Sequence, residues 1–124
     1  MEHDIEWYNE VKKEIINLPV ELYYRPPIKS KIITHSSVLP NNDFSSYINF
    51  ISELDKKYNL IIVDGRARVL CFQKSLKYVN LGGHIILHDS EREEYSICWK
   101  MATRNRFKIW EILEKRNTLI CQKY

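Results

Sequence analysis

The chain has 124 residues, 44% hydrophobic and 28% charged, with a net charge of +3, which fits one globular domain with a modest core. No run approaches the ~20 apolar residues of a membrane span, and the charge is too mild and too interspersed to argue for nucleic acid. Three widely spaced cysteines, Cys71, Cys98 and Cys121, form no CxxC pair, which argues against a disulfide framework or zinc site and fits a reducing cytoplasm.

The acidic, amphipathic start "MEHDIEWYNEVKKE" is not a secretory signal. Residues 4–18 read as a helix, with Tyr8, Val11, Ile15 and Leu18 at helical spacing. Pro19 stops it, and "VELYYR" follows as a short strand rich in β-branched and aromatic residues. From Pro26 to Asn42 the chain is irregular, with "PNND" as a turn. A loop of that length in a small domain is more often functional than idle.

Next, "DFSSYINFISELDKKY" reads as a polar-capped helix with Tyr47, Ile51, Leu54 and Tyr58 on one face. The apolar strand "LIIVD" follows. Residues 66–80 read as a helix with Val69, Phe72, Leu76 and Val79 inward, ended by "NLGG", where glycine tolerates positive φ. "HIILHD" is a second unbroken apolar strand, and a helical stretch runs from about Glu91 to Thr103. The end, "RFKIWEILEKRNTLICQKY", reads as a hairpin turning at "EKRN". Strand–helix–strand order with continuous apolar strands predicts a parallel sheet covered on both faces.

Ligands bind such sheets beyond the carboxyl ends of the strands. There the chain places Asp64, Gly65, Arg66 and Arg68 after the first strand, and His88, Asp89, Glu91 and Arg92 after the second. If the strands are neighbours, Asp64 and Asp89 lie side by side, ~5 Å apart by strand spacing. Two carboxylates and an imidazole suit acid–base chemistry, a substrate hydroxyl or a metal, and the arginines suit a carboxylate or phosphate. Structural readings stay open for the same residues. Asp64 and Asp89 are favoured helix caps, one arginine suits a surface ion pair, and His88 suits a hydrogen-bonded core position. Tyr23, Tyr24 and Trp99 read as packing, and Cys71 as a buried thiol rather than a nucleophile.

"YNLIIVDGRARVLCFQKSLKYVNLGGHIILHDSEREEY" resembles the second half of a class I S-adenosylmethionine-dependent methyltransferase-like domain, in a branch with "DGRAR" and "HDSER". "EHDIEWYNEVKKEI" is similar to the end of that family's second strand and the helix after it, and the terminal hairpin to its antiparallel sixth and seventh strands. The resemblance implies an α/β fold, an incomplete Rossmann-like methyltransferase sheet, mostly parallel with a C-terminal antiparallel hairpin and helices on both faces. Residues 1–124 are then a single domain lacking the first strand, most of the second and the glycine-rich turn. It implies S-adenosylmethionine as cofactor, with Glu2 at the ribose and Asp64 and Gly65 at the cofactor. Asp64, His88 and Asp89 are then the candidate catalytic residues, Arg66, Arg68 and Arg92 bind the acceptor, a small molecule or a surface-exposed group, and residues 25–43 shape its site.

Two other readings follow from the residues. A non-catalytic module would complete its sheet by self-association or with another chain, since the "LIIVD" strand leaves an apolar edge. A metal-dependent enzyme would use Asp64, His88 and Asp89 as ligands.

Overall fold

The structure, a computed structural model, describes residues 1–29, 42–112 and 118–124. The expected turns at "PNND" and "EKRN", and most of the 25–43 segment, lie wholly or partly outside the described residues. Those described form two compact units, residues 1–48 and 49–124.

In the first unit, helix α1 spans Ile5–Glu14. It is shorter than the 4–18 spacing predicts. Asp4 caps it, its carboxylate accepting from the N–H groups of Glu6 and Trp7 at 2.9 and 3.1 Å. Helical backbone ends before Ile15, so Leu18 is exposed instead of inward. "VELYYR" is not a strand. Only Tyr24 bridges, in parallel, to Glu2, through Glu2 N–H to Tyr23 O and Arg25 N–H to Glu2 O, both 2.8 Å. With one partner residue, β propensity alone does not sustain a ladder. The Tyr8 and Tyr24 rings pack 5.3 Å apart, as the packing reading of that tyrosine expects. Strands β1 (Ile28–Lys29) and β2 (Asn42–Asp43) form a small antiparallel pair.

Helix α2, Ser45–Glu53, is also shorter than its pattern. Its first turn leans on Asp43, whose carboxylate accepts from the Ser45 N–H at 2.7 Å. Tyr47 and Phe50 are its buried residues, whereas Ile51 is only half-buried and Tyr58 belongs to the next strand.

The second unit is built on a mixed sheet of order β3–β4–β6–β5. Strand β3 (Tyr58–Val63) pairs in parallel with β4 (Val79–Leu87), and β6 (Thr118–Lys123) runs antiparallel to both β4 and β5 (Phe107–Ile112). Helix α3 (Arg68–Ser75) joins β3 to β4, and α4 (Ser96–Arg104) joins β4 to β5. This is an incomplete Rossmann-like α/β fold.

"NLGG" does not end a helix. Helix α3 tightens into a single 3₁₀ turn at Leu76–Tyr78, and β4 begins at Val79. The register slips from Tyr58↔Val79 to Leu60↔His84, so the glycines lie in a bulged start to the strand. Gly82 takes φ +77° there. At Gly83 a Cβ would meet the carbonyl oxygens of Asn59 and Asn80 and the Val79 side chain, each at 3.0 Å. Gly83→Ala is therefore expected to destabilise by about 1–3 kcal/mol, because two of the three obstacles are backbone. Urea unfolding of the variant measures this, and an unchanged midpoint would contradict it.

Side chains alternate across the sheet. On one face Val63, Ile85, Leu87, Leu119, Cys121 and Phe107 pack with Phe72 and Leu76 below α3 and its 3₁₀ turn and with Cys98 and Ala102 of α4. The other face carries Leu60, Ile62 and Trp110, all more than half exposed. Burial pushes the Cys71 thiol up to about 12 and Cys98 to about 11, so both read as packed rather than nucleophilic. No helix among the described residues is long and apolar enough to cross a membrane.

Candidate functional site

Val63 and Leu87 are register partners, so the two parallel strands end level with one another. The next residues, Asp64 and His88, are therefore the ones that stand side by side, held by His88 N–H to Val63 O at 3.1 Å. This corrects the pairing of Asp64 with Asp89. Asp89 lies one step beyond, where φ of +54° turns the chain back over the strand ends. An aspartate tolerates that conformation better than most residues.

Neither aspartate caps a helix. Helix α3 starts at Arg68 after Ala67, which is left-handed at φ +50° and offers no side-chain cap, and Arg92 precedes the 3₁₀ turn Glu93–Tyr95. The turn after β3 thus bends at Ala67 and not through a left-handed Gly65. That bend aims Arg68 back across the strand ends.

Arg68 is the centre of the cluster. Its Nε donates to Gly65 O at 3.0 Å, and its Nη1 donates to His88 O and to Asp89 Oδ2, both at 2.9 Å. Nη2 lies 3.2 Å from Asp64 Oδ1, and the side chain is only 12% exposed. Arg92 reaches the same Asp89 oxygen at 2.7 Å. The buried Tyr95 ring lies 5.6 Å from the Arg68 guanidinium and 6.0 Å from that of Arg92. Burial works against the Arg68 charge, but the hydrogen bond to Asp89 and the nearby Tyr95, Asp89 and Asp64 outweigh it and raise its pKa. Reciprocally, the Arg68 hydrogen bond, aided by His88 and Arg92, holds the Asp89 carboxyl below its usual range against partial desolvation.

His88 Nδ1 faces both carboxylates, 3.0 Å from Asp64 Oδ1 and 3.2 Å from Asp89 Oδ1. Neither approach is aligned as a hydrogen bond, and that nitrogen is buried without a hydrogen-bond partner although the ring is 46% exposed. Asp64 is 57% exposed and looks outward. The Arg66 guanidinium makes no hydrogen bond or ion pair among the described residues. Of the three arginines, Arg68 is committed to the fold, Arg92 is half committed, and Arg66 is available at the rim. Among the described residues no group of three or more His, Cys, Asp or Glu is arranged to hold a metal ion. The guanidinium of Arg68 stands between the two carboxylates where a cation would sit.

Because the Asp89 pKa is lowered on folding, its contribution to stability is present above the ordinary value of 3.8 and lost as pH falls through the lower folded value. The Asp89→Asn variant, which keeps a residue tolerant of positive φ, is expected to unfold more easily than the parent at pH 7. That deficit shrinks as pH falls below about 4. Thermal unfolding across that range measures it, and a deficit independent of pH would contradict the assignment.

Glu2 sits in the first unit where the extended segment gives way to α1. Its Oε1 accepts from the N–H groups of His3 and Asp4 at 2.6 and 2.9 Å and lies 2.8 Å from His3 Nδ1. Its Oε2 accepts nothing among the described residues.

Tyr95 was not legible as part of the cluster. Its spacing of three from Arg92 at a helical start is the signal that points to it. The carbonyls of Gly65 and His88, which bind Arg68, leave no mark in a sequence at all.

The strand order and the helices between the strands are those of an incomplete Rossmann-like α/β fold. Among solved structures, the chain is similar to a methyltransferase from Pyrococcus furiosus, with a TM-score of 0.58 and 13% identity. The match covers 98% of this chain and 60% of that one, so the chain spans 60% of that protein's length. No family model matches the chain, and no curated protein matches it.

Proposed function

We propose that this chain is a methyltransferase-like protein of the branch marked by "DGRAR" and "HDSER", and that it binds S-adenosylmethionine at the carboxyl ends of β3 and β4. The observation that carries the reading is the polar rim there on a fold similar to that of a methyltransferase. The donor set suits the amino-acid end of that cofactor, a zwitterion. The exposed carboxylate of Asp64 matches its ammonium, the uncommitted guanidinium of Arg66 matches its carboxylate, and the backbone at Gly65 lets it approach.

When bound, the cofactor supplies an electrophilic methyl group on a sulfonium. The chain's own residues would position a small-molecule acceptor in line with it and accept its proton. His88 is the better base of the candidates. Two carboxylates facing Nδ1 favour the proton on that nitrogen and leave Nε2 as acceptor. Asp89, held acidic by Arg68, orients rather than accepts. Arg92 would meet an anionic group of the acceptor. Three free cysteines suit a cytoplasmic setting.

Titration calorimetry of the full chain with S-adenosylmethionine and S-adenosylhomocysteine tests this. Saturable binding that Asp64→Ala and Arg66→Ala both weaken is expected. No heat of binding from a folded chain removes the reading.

A further inference from the structure

We propose that β3 pairs edge to edge, antiparallel, with β3 of a second copy of this chain, joining two four-stranded sheets into one. The inference goes beyond the methyl-transfer reading and does not depend on it. One side of β3 bonds to β4, and no strand among the described residues takes the other. Val63 O accepts from His88, so Val63 and its alternates Ile61 and Asn59 turn their backbone groups toward β4. Tyr58, Leu60 and Ile62 therefore turn their N–H and C=O groups outward. Leu60 and Ile62 are also 52% and 61% exposed. An edge of this kind, without proline, is a template for another strand.

Charge order selects a second copy as the occupant. Residues 56–64 read "KKYNLIIVD", with cations at the start and a carboxylate at the end. Antiparallel self-pairing sets each end against its opposite. A two-fold axis normal to the sheet keeps every side chain on its own face, so only registers pairing residues of like face are open. Three of these centre on Leu60, Ile61 or Ile62. Centred on Leu60, the register sets Leu60 against itself, Tyr58 against Ile62, and Lys56 against Asp64 of the second copy. Centred on Ile61, it sets Lys56 against Arg66. Centred on Ile62, it sets Leu60 against Asp64. Only the first pairs opposite charges and apolar with apolar.

The sheet's exposed face agrees with that register. Ile62, Ile86, Ile120 and Trp110 are successive register partners, an apolar row across all four strands. The Leu60-centred register carries this row onto Tyr58 of the second copy. It also brings Lys56 of one copy to Asp64 of the other, so each subunit contributes a cation to its partner's strand-end rim.

Sedimentation equilibrium and cysteine cross-linking on the full chain test the proposal. A dimer is expected, and Leu60→Cys should become covalently dimeric on mild oxidation, since directly opposed strand residues lie within disulfide reach. Ile62→Cys and the parent chain, whose Cys98 and Cys121 are buried, should not. Lys56→Glu should weaken dimerisation about tenfold, because two symmetry-related pairs change from opposite to like charge. Adding Asp64→Lys to it should restore the dimer. A monomer at every concentration overturns the proposal. So does cross-linking at Ile62→Cys as ready as at Leu60→Cys, or a Lys56→Glu chain that dimerises like the parent. Cofactor binding enters none of these readouts, so this proposal and the methyl-transfer reading fail separately.

Discussion

Arg68→Ala is expected to lower the unfolding free energy by about 3 kcal/mol, a large loss for one residue near a surface. Acceptors from four residues converge on that guanidinium: Gly65 O, His88 O, the Asp89 carboxylate, and both the carbonyl and the carboxylate of Asp64. Removing it strips three carbonyls of this donor and leaves two carboxylates close to one imidazole. Arg68→Lys should recover only part of the loss, because an ammonium cannot fork between a carbonyl and a carboxylate from one direction while reaching Gly65 from another. Urea unfolding at pH 7 measures both variants. A lysine variant as stable as the parent would mean that Arg68 acts only as a point charge, and an unaffected alanine variant would mean that the cluster holds nothing together.

Ile85→Ala is expected to cost about 2–5 kcal/mol, and Ile62→Ala less than about 1 kcal/mol. The two residues lie on neighbouring strands with similar composition, but on opposite faces of the sheet. Ile85 is fully buried beneath α3 and α4, whereas Ile62 is mostly exposed. The same unfolding experiment separates them. It is best read at low protein concentration, since a dimer through β3 adds a concentration-dependent term at Ile62. Equal costs at low concentration would mean that both faces are covered alike.

Much of this was legible in the sequence. Unbroken apolar runs ending in Asp64 and in His88–Asp89 marked β3 and β4 as parallel strands, and the terminal run as a hairpin, while their adjacency came from the structure. Helix lengths were less legible, because apolar spacing continues past the point where backbone leaves the helix. The 4–18 pattern outran α1, and the 66–80 pattern ran through a 3₁₀ turn into β4. Residues at helical spacing can be buried from a strand just as well, as Val79 is.

The sequence by itself determined the class of fold, the strand ends where polar groups gather, and the residue types found there. Periodicity and composition suffice for that, since burial on a strand needs only an apolar run and a turn to end it. The tertiary structure decided which of those groups meet. The register of Val63 with Leu87 put His88, not Asp89, beside Asp64. The left-handed turn at Ala67 sent Arg68 back over both strand ends. It thereby made one arginine a clamp and left Arg66 at the rim, a distinction set by backbone direction and carbonyl position, neither of which a residue's identity records.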